Sequence, residues 1–215
     1  EEFFERIKSI DGISLVIGSN GIGKTYLLEE LKKYFELDKI DVNLIRFRDY
    51  DNLDSIKGAI TSTSKYIIFD GLDEINSNVQ NNVLEYVLSI KNKNVIVSSR
   101  RDFVQKRNLF DAKYNIYEIR QLEEYRIDNI LKSNGLNKEN YKNIYNLLKI
   151  PRFLIHLLNV KDIVEEKSNI NKFDLLEMIV NRHFDVVNER AAIKIETNIH
   201  KQILQSLALV MMMTG

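Results

Sequence analysis

With 215 residues, 44% hydrophobic and 29% charged, the chain has enough apolar side chain for a real core and lies well outside the composition of disordered proteins. Lys+Arg 31 cancels Asp+Glu 31, so no global field draws it onto nucleic acid or an anionic membrane, while a local basic patch stays open. The absence of cysteine excludes disulfides, thiol nucleophiles and cysteine-bound zinc, and His156, His183 and His200 are too scattered for a metal cluster.

Five short apolar runs alternate with helical patterns: Ile13 to Ile17, Val42 to Phe47, Tyr66 to Phe69, Val95 to Val97 and Ile116 to Ile119. They are near-continuous rather than alternating, as strands buried on both faces of a parallel sheet are. Between them, Leu27, Leu28, Leu31, Tyr34 and Phe35 share one helical face, and Val79, Val83, Leu84, Val87 and Leu88 share another. The alternation predicts an α/β domain over residues 1–120. After Ile119 the strands stop. A helix is predicted over Leu122 to Leu131, closed by Gly135, then one carrying Tyr141, Ile144, Leu147 and Leu148, then one opened by Pro151, the single proline, where a first turn loses no hydrogen bond. Further helices are predicted at Phe173 to Val187 and His200 to Met213, with a polar linker near Glu165 to Lys172.

His156 reads as a partly buried structural residue, His183 and His200 as helix-surface residues, and Met211 to Met213 as core or a severed interface. The apolar run Leu207 to Met213 is too short to span a bilayer and no charged-then-apolar leader opens the sequence, so a cytoplasmic protein is expected. The sequence begins without Met and stops within the helical pattern LALVMMMTG, so a piece of a longer polypeptide is expected.

Gly18, Gly23, Lys24 and Thr25 fit G-x-x-x-x-G-K-[ST], with a strand before and a helix after. Backbone N–H groups reach a polyphosphate only where side chains are absent, and the following helix adds its positive end while Lys24 adds a full charge. Thr25 would place its hydroxyl on magnesium. In KYIIFDGLDEI a buried strand ends in Asp70, a carboxylate suited to the metal, and Asp73 and Glu74 follow within a turn. An acidic N-cap for a helix over Asn76 to Ile90 is the alternative for Asp73. In NVIVSSRR, Ser98, Ser99 and Arg100 are expected at the carboxyl edge, with Arg100 either reading a γ-phosphate or belonging to the charged surface run Arg100 to Arg107.

At these residues the sequence resembles the STAND class of P-loop ATPases, and within it the NACHT type. The likeness rests on DGLDE, on the SSR ending the next strand and on IYEIRQLEEYRIDNIL leading into a helical lid. LLKIPRFLIHLL looks like the segment whose proline, here Pro151, packs near the adenine, and KFDLLEMIVNRHFD and ILQSLALVMM look like the start of a winged-helix region. It covers almost the whole chain. The resemblance implies a P-loop NTPase sheet of order 5-1-4-3-2, a lid over 121–164 and a winged-helix start over 165–215. It further implies ATP or ADP with Mg2+, slow hydrolysis, and self-association on activation within a longer chain bearing effector and sensor domains. Gly18, Ser19, Asn20, Gly21, Ile22, Gly23, Lys24, Thr25, Tyr26 and Pro151 are then the nucleotide-binding residues, and Thr25 and Asp70 the magnesium ligands. Glu74 or Asp73 polarises the attacking water and Arg100 senses the γ-phosphate. Arg152 is similar instead to the sensor arginine of AAA+ ATPases, so an AAA+-like ATPase acting on nucleic acid is the alternative. A phosphotransferase is disfavoured, since the second half offers no dense basic segment to close over an acceptor.

Overall fold

In the computed structural model, β1 (Ile13–Ile17), β2 (Val42–Arg46), β3 (Tyr66–Asp70), β4 (Asn94–Ser99) and β5 (Asn115–Glu118) form one sheet of order β2-β3-β4-β1-β5. Every pairing is parallel. This is the expected 5-1-4-3-2 order read from the other edge. Residues 2–9, 11–110, 113–164 and 169–190 are described, with backbone alone at 163–164 and 183–190. The predicted helix at His200 to Met213, the methionines 211–213 and half of the predicted linker, residues 165–168, lie outside them, as does the side chain of His183.

The chain divides into two compact units, Glu1–Gln121 and Leu122–Gly215. In the first, alternate strand residues enter cores on opposite faces of the sheet. Leu15, Ile17, Ile67, Phe69, Val95 and Val97 pack with Ile56 of α3 (Leu53–Gly58), Val83, Leu84 and Val87 of α4 (Gln80–Ser89) and Val104 of α5 (Arg101–Lys106). Val16, Tyr66, Ile68 and Ile96 pack with Ile7 of α1 (Glu2–Lys8) and Leu28, Leu31 and Phe35 of α2 (Lys24–Leu37). Each fully buried side chain of this size contributes about 1.5–3 kcal/mol, so the double-sided core fixes where the strand ends lie.

Several boundaries differ from the sequence expectation. Phe47 leaves β2 for a 3-10 turn, where its ring stacks on Phe69 at 5.0 Å. β4 runs on through Ser98 and Ser99, both 0% exposed. The helix expected from Asn76 begins at Gln80 with Val79 at its N-cap, while Leu72–Glu74 is a separate 3-10 turn. Asp73 therefore caps no following helix. α3 was not expected; Ile56 is its one buried side chain, and the Asn52 side chain caps it by accepting from the Ser55 N–H at 2.9 Å.

The second unit is helical: α6 (Glu124–Ser133), a 3-10 segment (Lys138–Ile144), α7 (Tyr145–Leu148), α8 (Pro151–Asn159), α9 (Lys161–Val164) and α10 (Lys172–Arg190). The single helix expected around Tyr141 to Leu148 is thus split, but its four apolar residues still face one core with Ile127, Leu131, Leu154 and Leu157. That core also takes in Ile170, Leu175 and Met178, from beyond the expected boundary at 165. Among the described residues no helix is long and apolar enough to cross a membrane.

Candidate functional site

Insertion of β4 between β1 and β3 decides the site. The register pairs Ile17 with Ser99 and Phe69 with Val97, so the loop after β1, the acid ending β3 and the arginine after β4 share one carboxyl edge.

The loop between β1 and α2 is built by its glycines. A Cβ on Gly18 would stand 2.8 Å from Ile22 Cγ2 and 3.3 Å from the Ile119 carbonyl oxygen, and Gly23 turns into α2 at φ +100°. L side chains disfavour that region by about 1–2 kcal/mol. Ile22 is only 4% exposed and roots the loop in the protein, leaving only its backbone to a ligand. Ser19 and Asn20 are exposed. Among the described residues no acceptor takes the backbone N–H groups of residues 19–23, and no side chain caps α2. A helix start of this kind, with open N–H groups at the positive end of its dipole, favours an anion.

Lys24 Nζ donates to the carbonyls of Gly18 and Ser19, both at 3.0 Å. Burial pushes its ammonium below the usual lysine range, against the opposing pull of Asp73. An anion in the loop would restore it. Thr25 Oγ1 donates to Asp70 Oδ2 at 2.8 Å, which places the two expected metal ligands side by side. Tyr26 is 68% exposed on the first turn of α2. Pro151 opens α8 in the other unit at its first helical position.

Asp70 is held from behind. Ser98 Oγ donates to Asp70 Oδ1 at 2.5 Å and accepts from the Gly71 N–H at 2.8 Å, inside the sheet. Ser98 therefore does not emerge at the edge as expected; it is a buried brace that leaves Oδ2 for Thr25 or a cation. Asp73 faces Arg100, its carboxylate 2.7 Å from Nε, while Glu74 is exposed. An open cleft of about 660 Å3 lies alongside, lined by Ser19 and Asn20 of the loop, Arg100, Arg101 and Gln105, and Arg120 beyond β5.

No family model and no curated protein matches the sequence. Solved structures do. A point mutant of Thermotoga maritima RuvB is 16% identical, with 83% of this chain and 64% of that one covered at a TM-score of 0.53. The Thermotoga maritima RuvB Holliday junction branch migration motor is 16% identical over 87% and 65% at 0.50, and a DNA replication initiation factor is 17% identical over 90% and 68% at 0.52. The fold is that of a P-loop NTPase. At this identity the likeness extends to the fold alone, and the chain spans 64–65% of the length of these RuvB structures.

The donor set fits magnesium as such loops hold it. Thr25 and Asp70 offer two hard oxygens, and the ion takes its remaining ligands from phosphates and water rather than from an all-protein cage. Among the described residues no group of three or more His, Cys, Asp or Glu suited to a metal occurs.

Proposed function

We propose that the chain is a Mg2+-dependent ATP-binding and ATP-hydrolysing module that works as a nucleotide-controlled oligomerisation switch of the NACHT type, in signalling or defence. The observation that supports nucleotide binding, on which this reading rests, is the junction of Thr25, Asp70 and Ser98 beside a loop whose N–H groups lack acceptors among the described residues.

Residues 19–23 would wrap the β-phosphate with their N–H groups, and Lys24 would exchange the carbonyls of Gly18 and Ser19 for phosphate oxygens. Thr25 and Asp70 would hold magnesium, which when bound supplies positive charge to the phosphate oxygens. Ser98 keeps Asp70 oriented. Glu74, exposed and without an ion pair among the described residues, orients the attacking water. Arg100 meets the charge on the terminal phosphate, and the resemblance assigns Pro151 to the adenine.

The neighbours favour a second reading, an AAA+-like motor on nucleic acid, since one is described as a branch migration motor and another as a replication initiation factor. Arg152 would then be its sensor. One experiment separates the two: the purified protein is denatured and any released nucleotide identified, and DNA binding is measured against salt. Retained ADP with no DNA affinity is expected of the switch. An empty site with DNA affinity falling steeply with salt would overturn it in favour of the motor.

A further inference from the structure

Asp73 and Glu74 share one turn after Asp70, yet their surroundings separate them. Glu74 is exposed, its carboxyl group within 3.0 Å of where a Gly71 Cβ would stand. The Asp73 side chain is 8% exposed; among the described residues its hydrogen bonds and ion pair run to Ser99 at the end of β4 and to Arg100 just beyond it, and its charge also acts on Lys24. Oδ1 accepts from the Arg100 backbone N–H at 2.9 Å and from Ser99 Oγ at 3.3 Å, and Oδ2 lies 2.7 Å from Arg100 Nε.

Building on the nucleotide reading above, we propose that Asp73 is a positioning residue, which grips Arg100 by its backbone and its Nε so that the two terminal guanidinium nitrogens are presented to the terminal phosphate. A guanidinium is a planar fork of five N–H donors. The Asp73 carboxylate forms an ion pair with Nε at 2.7 Å on that side of the fork, and among the described residues no acceptor takes the four N–H groups on Nη1 and Nη2. Arg100 lines the cleft together with Ser19 and Asn20, so that edge lies beside the phosphate loop. An unanchored arginine would lose rotamer freedom on meeting an anion, whereas one already held loses little. A water-activating base needs a carboxylate oxygen open to solvent, and Asp73 has both oxygens engaged. The Arg100 charge also offsets a carboxylate otherwise crowded by Asp70 and Glu74.

The experiment measures ATP and ADP affinities, with kcat and KM for phosphate release, on the 215-residue chain and on D73N, R100A, R100K, E74Q and the D73N/R100A double variant. R100A and D73N should each lose about 10-fold or more in ATP affinity, as expected for a lost charged hydrogen bond, with ADP affinity moving less than about 3-fold. The double variant should bind ATP no more weakly than R100A, because the two residues act as one unit. E74Q should keep ATP affinity and lose turnover. R100K, which retains charge but lacks the Nε fork, should follow R100A, and it carries the test without touching Asp73 should D73N fail to fold. Wild-type ATP affinity in D73N or R100K, or full additivity in the double variant, overturns the proposal and leaves nucleotide binding standing. Binding of neither nucleotide by the wild-type chain overturns both.

Discussion

Ser98 shows how one hydroxyl sets up a charged site. It is 0% exposed, and it satisfies the Gly71 N–H while donating to Asp70. In S98A the Gly71 N–H loses its acceptor inside the sheet and Asp70 loses its brace. A loss of about 1–3 kcal/mol in unfolding free energy is expected, together with a weaker magnesium dependence of nucleotide binding, read by urea unfolding and by magnesium titration. Little of this was legible in the sequence. Lys24, Thr25 and Asp70 stand at recognisable spacings after apolar runs, so their meeting at one edge could be anticipated. Ser98 and Ser99 look like a strand's end to any hydropathy pattern. They remain in the strand because their hydroxyls pair with Asp70 and Asp73, contacts 28 and 26 residues away that periodicity does not register. The grip of Asp73 on Arg100 was hidden for the same reason.

At the scale of elements, the strands were legible because each carries a continuous apolar run, whereas α3 buries only Ile56 and leaves no periodic stripe. The end of α6 was legible through Gly135. There Leu136 N–H reaches the Leu131 carbonyl at 2.9 Å and Gly135 N–H the Lys132 carbonyl at 3.1 Å, a Schellman closure with Gly135 at φ +79°. G135A should cost about 1–2 kcal/mol by forcing a Cβ into that region, measured as a lower unfolding midpoint. The phosphate loop behaves differently. In G18A the new Cβ meets Ile22 Cγ2 and the Ile119 carbonyl, and the branched Ile22 cannot swing aside, so nucleotide affinity should fall while the nucleotide-free protein keeps its fold by circular dichroism. In α8, burial and then Arg152 hold the half-buried His156 below the usual histidine range. Its charged form is disfavoured in the folded state, so stability is full above the ordinary value near 6.5. As pH falls from there to the lower folded value, the unfolded chain takes up the proton first and stability drops. H156Q should flatten that part of the stability–pH curve.

Across the whole molecule, a five-stranded P-loop unit and a helical unit follow one another along the chain. For the proposed switch, moving a two-state equilibrium from 1:99 to 99:1 would take about 5.5 kcal/mol of differential affinity between its two states. Thermal unfolding of the wild-type chain and of K24A, each with and without Mg-ATP, tests the central claim most directly. At nucleotide about 1,000-fold above its dissociation constant, the wild type should gain roughly 4 kcal/mol, a rise in Tm of about 8–16 °C for a chain of this size, and K24A should gain little. An equal rise in K24A, or none in the wild type, would contradict the assignment of the loop.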